Sequence, residues 1–162
     1  MKKILFLAAA LFIVNSYAFA QASPKKSASD GNISVTYSAP SKKGREIFGG
    51  LVPFDNVWRT GANNATEITF AKDGSIGGTS VKAGTYSLFT IPKMAGDWAV
   101  ILNPNVGQWG SFGYDKIKGD DLPHAKAKVS KTASNVEQMN ISVSGGNLVI
   151  SWGDTKATVA VK

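Results

Sequence analysis

Ile33-Ser34-Val35-Thr36-Tyr37-Ser38 is the stretch that decides the fold class. Its apolar residues Ile33, Val35 and Tyr37 alternate strictly with Ser34, Thr36 and Ser38. Only an extended chain, whose side chains point to opposite faces in turn, sorts that pattern into one dry and one wet face. The same period returns at Met139, Ile141 and Val143 against Gln138, Asn140 and Ser142, and at Ala157, Val159 and Val161 against Lys156, Thr158 and Ala160. Two further runs, Tyr86 to Ile91 and Trp98 to Leu102, are short and apolar on both faces, which predicts central strands covered on both sides.

Between these runs stand Asp73-Gly74, Gly77-Gly78, Ala83-Gly84, Gly145-Gly146-Asn147 and Gly153-Asp154. Tight glycine-bearing connections favour antiparallel hairpins over crossover helices. No window after residue 20 sustains a helical period for three turns. A short helix is expected at most near Gly44 to Gly50 or Tyr114 to Gly119. The fold class is therefore all-β: an antiparallel β-sandwich or jelly roll with at most one or two short helices.

Outward from that core, the chain begins Met1-Lys2-Lys3, continues with an apolar run from Ile4 to Val14 and reaches Ala18-Phe19-Ala20. A cationic start, a short apolar core and an A-x-A site read as a cleavable export signal cut after Ala20, so the mature chain is periplasmic or secreted. A membrane span would need about 20 consecutive apolar residues, and Asn15 and Ser16 interrupt the run well before that. No later segment is apolar enough to span a bilayer. Gln21 to Gly31, small, polar and basic, reads as a flexible leader, and residues 32–162 as a single domain.

The chain has no cysteine, which excludes disulfides, thiolate metal sites, a thiol nucleophile and lipid attachment at cysteine. Its 18 Lys+Arg against 11 Asp+Glu give a net charge of +7. The basic residues lie in short dispersed groups, Lys25-Lys26, Lys42-Lys43 with Arg45, and Lys126 with Lys128. Together with the export signal that speaks against nucleic acid as a partner and leaves weak attraction to anionic surfaces or ordinary solubilising charge.

Catalytic patterns are missing. The single histidine, His124, sits in Leu122-Pro123-His124-Ala125 with no G-x-S-x-G elbow anywhere. Zinc has too few histidine and cysteine ligands, and Gly119-Asp120-Asp121 lacks the spacing of a calcium loop, so neither metal nor cofactor is expected. A carboxylate pair for glycoside hydrolysis, drawn from Asp55, Glu67 or Asp97, stays open because such partners are set by the fold and not by spacing.

The densest cluster of recognition chemistry is Val57-Trp58-Arg59-Thr60-Gly61-Ala62-Asn63-Asn64-Ala65-Thr66. An aromatic face, a planar guanidinium suited to carboxylate or phosphate, and several amides and hydroxyls meet in one turn. The same residues read equally as fold: Trp58 as core, Arg59 bonding loop carbonyls or pairing with Glu67, and Gly61 and Asn63 supplying positive φ. A second loop, Gln108-Trp109-Gly110-Ser111-Phe112-Gly113-Tyr114, carries three aromatics among glycines, either a ligand surface or a lid on the sandwich.

Three segments together resemble a known family: Tyr37-Ser38-Ala39-Pro40-Ser41-Lys42-Lys43-Gly44-Arg45-Glu46-Ile47-Phe48-Gly49-Gly50-Leu51-Val52-Pro53, Trp58-Arg59-Thr60-Gly61-Ala62-Asn63, and Ala83-Gly84-Thr85-Tyr86-Ser87-Leu88-Phe89-Thr90-Ile91-Pro92. They are similar to the exported bacterial family catalogued as domain of unknown function 2911, over roughly residues 23–161. The resemblance implies an exported single-domain β-protein with no established activity. Its motif residues fall on Lys43, Gly44, Arg45, Trp58, Arg59, Thr60, Gly61, Asn63 and Thr66. Ala39 stands where the resemblance implies an arginine and Asn64 where it implies an acidic residue, so this chain departs from the family pattern at the two positions that could form a charge pair.

The expected function is a non-enzymatic binding or interaction module for an anionic or glycan-like ligand. Its candidate ligand-binding residues are Lys43, Arg45, Trp58, Arg59, Thr60, Asn63, Thr66 and Trp109. The alternatives are an extracytoplasmic hydrolase using the carboxylates named above, and a structural component of the envelope. The oligomeric state is open.

Overall fold

The computed structural model describes residues 23–162. The export signal and its cleavage site, with Gln21 and Ala22 of the expected leader, lie outside the described residues. Among the described residues nine strands follow in order: β1 Lys25–Asp30, β2 Ile33–Ser38, β3 Thr66–Phe70, β4 Gly74–Ile76, β5 Thr79–Val81, β6 Gly84–Ile91, β7 Trp98–Asn103, β8 Ala125–Ser144 and β9 Asn147–Ala160. Between β7 and β8 stand one helical turn, α1 Tyr114–Ile117, and a 3-10 turn over Lys118–Asp120.

The two layers expected of a sandwich come from a single antiparallel sheet, ordered β1-β2-β3-β6-β7-β8-β9, with β4-β5 as a separate hairpin. The sheet curls on itself. The arm beyond β2 bonds to the far half of β8 through Lys42 N to Glu137 O at 2.7 Å and Met139 N to Pro40 O at 2.9 Å. The Ile141 amide donates to the Tyr37 hydroxyl across the interior at 3.0 Å.

The predicted central strands are β6 and β7. One face of the pair, with Leu88, Trp98, Val100 and Leu102, enters the main core beside Ile68, Met139, Leu148 and Trp152. The other buries Phe89 and Ile101 under Val57, Tyr114 and Ile117, so α1 serves as the cover of that second face. Asp121 locks it there: its carboxylate accepts from the Asn103 amide at 2.8 Å and from the Tyr114 hydroxyl.

Two sequence readings change and a third is narrowed to one of its alternatives. Lys25–Asp30, expected inside a flexible leader, is edge strand β1, paired from Lys25↔Ser38 to Asp30↔Ile33. Its polar side chains carry little hydrophobic signal, and its backbone bonds to β2 supply the order. Gly153-Asp154, read as a turn, lies within β9, where Gly153 at φ 64 marks a register break opposite β8. Finally, Gly44 to Gly50 forms turns, and the helix stands at the Tyr114 alternative.

Candidate functional site

Trp58 lies beside β6, exchanging backbone bonds with Thr90 at 2.8 and 2.9 Å where β3 would otherwise continue. Residues 59–65 are thus a loop excursion between two segments on the same edge of β6. Inside it the polar groups satisfy each other. The Trp58 indole donates to Gly61 O at 3.1 Å, the Thr66 hydroxyl donates to Thr60 O at 2.8 Å, and the Thr60 and Thr90 hydroxyls bond at 3.1 Å. Thr60 and Thr66 have no exposed surface, and Trp58 is 7 % exposed, so these three candidate residues build the loop and offer nothing to a ligand from outside.

Thr60 and Asn63 hold left-handed backbone at φ 54 and 57. For a β-branched threonine that conformation costs of order 1–3 kcal/mol and persists only because the surrounding bonds over-determine it. Asn63 also donates to the Ser38 hydroxyl at 3.4 Å and accepts the Gly110 amide at 3.0 Å. With Ala65 N to Gln108 O at 2.8 Å, this second bond ties the 59–65 loop to the aromatic loop 108–114.

Arg59 lies in this junction. It is half-buried; burial pulls its guanidinium below its ordinary pKa, and Nε is sealed from solvent with no hydrogen-bond acceptor among the described residues. The sequence offered Glu67 as partner, but Glu67 accepts the Gly107 amide at 3.0 Å and forms no ion pair with Arg59. A Cβ placed on Gly110 would sit 3.6 Å from Arg59 Nη1 and 2.9 Å from the Phe112 ring, so the bare glycine leaves room where the two loops meet. Beside it Trp109 is 65 % exposed and Phe112 84 %, two large aromatic surfaces in water next to a cation with no partner among the described residues. Phe112 is not among the candidates that the sequence singles out; its place among glycines is the signal that points to it.

Lys43 and Arg45 do not join this constellation. Lys43, also left-handed at φ 49, bonds through its amide to Glu137 Oε1 at 2.7 Å. The Arg45 guanidinium donates to Lys42 O at 3.0 Å and Ser41 O at 2.7 Å, closing its own turn. Both are exposed, and both serve the arm that seals the curled sheet against β8.

The carboxylates offered for hydrolysis make different bonds. Asp55 pairs with Lys93, Glu67 holds the Gly107 amide, and Asp97 lines a depression with Lys93, His124 and Lys126. Among the described residues no group of three or more His, Asp or Glu stands together as metal ligands. His124 is held at 3.3 Å from Asp121, the carboxylate that locks α1.

A separate cleft of about 640 Å³ opens where β8 leaves β7. Ile47, Phe48, Trp98 and Trp152 form its floor, and Phe54, Met94 and Val129 its walls. The Gly153 break bends β9 so that the ribbon of β8 and β9 flanks the opening.

Fold and junction together define a class: a curled, all-antiparallel β-domain whose most chemically distinctive surface is a cation between aromatic loops. The family matching residues 20–161 is described as "Protein of unknown function (DUF2911)", and the chain belongs to it. No curated protein and no solved structure matches it.

Proposed function

We propose that this domain is a non-enzymatic binding module that takes an anionic, glycan-like ligand at Arg59, with Trp109 and Phe112 as its apolar shelf. The observation that carries the reading is the Arg59 guanidinium, half-buried and without an acceptor among the described residues. A buried cationic donor left unpaired is costly, and a carboxylate or phosphate oxygen supplies the missing acceptor. Because Nε is sealed, the terminal Nη pair meets the anion, in the bidentate fork geometry that planar carboxylates match.

Exposed aromatic faces suit the apolar face of a sugar ring. The loops are held by backbone bonds, so little ordering cost remains for binding. The export signal read over residues 1–20 supports action outside the cytoplasm, and a mature chain starting at Gln21 in mass spectrometry of the native protein is the corresponding test.

Calorimetric titration with a uronic acid oligosaccharide and with its reduced, neutral counterpart tests the ligand reading. Saturable binding of the acidic form alone, weakened at least tenfold in Arg59→Lys and in Trp109→Ala, is expected. Equal binding by Arg59→Lys and the native chain, or no binding of either sugar, overturns it.

A further inference from the structure

In the cleft beside β8, an interior stretch of sheet lacks a neighbour on one edge among the described residues. On that edge β7 pairs only as far as Trp98↔Ala127, and the arm beyond β2 takes over at Glu137 and Gln138. Between them, among the described residues, Lys128 to Lys131 pair with β9 alone, in the regular register Lys128↔Thr158 to Lys131↔Thr155. In an antiparallel strand alternate residues turn their N–H and C=O groups to opposite edges, so half of this stretch presents unpaired donors and acceptors to the cleft. All four residues are exposed, and Val129, Ser130 and Lys131 line the opening.

We infer that this open edge receives an extended acidic-apolar peptide segment of another protein, which adds as a strand to β8 between β7 and the Lys42 arm. Strand addition takes affinity from the backbone bonds and specificity from pockets for alternate side chains. Both parts are present. Side chains of the added strand that face inward meet Val129, Phe54 and the 82 % exposed Met94, whose flexible thioether adapts to varied apolar groups. Side chains that face outward meet Lys128, and opposite charges directly across a strand pair are favourable while like charges oppose.

Asp154 and Glu46 also line the cleft, and Asp154 pairs with Lys131, so Lys128 is the cation on this edge that discourages indiscriminate pairing and narrows the partner to one bearing acid. Four residues of strand span about 13 Å at ~3.3 Å each, which sets the length of the paired segment. None of these residues belongs to the Arg59 junction, so the two sites stand or fall separately.

The probe is the synthetic peptide Val-Glu-Val-Glu-Val-Glu-Val, titrated into the full domain and followed by amide NMR and fluorescence anisotropy. Saturable shifts centred on Val129 to Lys131 are expected, with slowed amide exchange there. Affinity should fall at least tenfold both for a peptide N-methylated at alternate residues on its pairing edge and for Lys128→Glu, while Arg59→Lys leaves it unchanged. Unchanged affinity of the methylated peptide, no binding at millimolar concentration, or shifts centred elsewhere overturns the proposal. Concentration-dependent pairing of the domain through the same edge, blocking the peptide, overturns it in favour of a second copy as occupant.

Discussion

Trp58 and Trp152 lie face to face, their ring centroids 6.1 Å apart and their planes 17° from parallel. Phe48 meets both edge-on, at 5.8 Å from Trp58 and 6.3 Å from Trp152. The tryptophan that opens the most site-like segment of the sequence is therefore a core residue, and it anchors the loop that carries Arg59.

Trp58→Ala should cost about 3–5 kcal/mol through lost burial and the cavity left against Trp152. Trp109→Ala, at a largely exposed position, should stay within about 0.5 kcal/mol. Urea denaturation of the two variants checks the contrast; comparable losses would mean that Trp109 is also packed.

Thr66→Val keeps the volume but removes the hydroxyl that donates to Thr60 O. The carbonyl is then buried beside a strained threonine without that donor, at a cost of about 1–3 kcal/mol. Because Thr60 O lies next to Arg59, calorimetric affinity for the acidic sugar should fall along with the melting temperature.

Gly153→Ala tests the break in β9. At φ 64 an added Cβ is strained, and it would lie 3.0 Å from Ile47 Cδ1. A loss of about 1–3 kcal/mol is expected, with amide shifts spreading to Ile47 and Phe48 at the floor of the cleft. An unchanged melting temperature would show that the ribbon does not need its glycine to bend.

Tyr114 gives a pH signature. Burial first, then the hydrogen bond and charge of Asp121, raise its phenol well above the ordinary value. The native state thus holds a proton that the unfolded chain releases near pH 10, so this contribution to stability is complete below about pH 10 and is lost as pH rises further. Thermal melts from pH 8 to 11 should show a steeper alkaline fall in the native chain than in Tyr114→Phe, and phenolate absorbance should reveal one late-ionising tyrosine. Parallel alkaline falls would refute the shift.

The strands at Ile33 to Ser38, Tyr86 to Ile91 and Trp98 to Leu102 were legible because side-chain alternation and short two-faced apolar runs are local signals that every extended chain obeys. The first half of β8 was less so: Ala125, Ala127 and Val129 alternate with Lys126, Lys128 and Ser130, a true period of two whose small side chains make it faint. Strand β1 was hidden for a stronger reason, since backbone bonds to a neighbour leave no mark on composition.

The same division runs through the site. That an arginine, a tryptophan and turn-forming residues stand together at 58–66, and that a second loop is rich in aromatics, can be read from the order of residues alone. The folded arrangement alone makes Trp58 face inward, lets Arg45 close its own turn, leaves Arg59 without a partner among the described residues, and stands Phe112 in water beside it. Inward or outward is settled by which surfaces the curled sheet brings against a loop, and whether a charge is paired depends on residues some fifty positions away. Local periodicity carries neither piece of information.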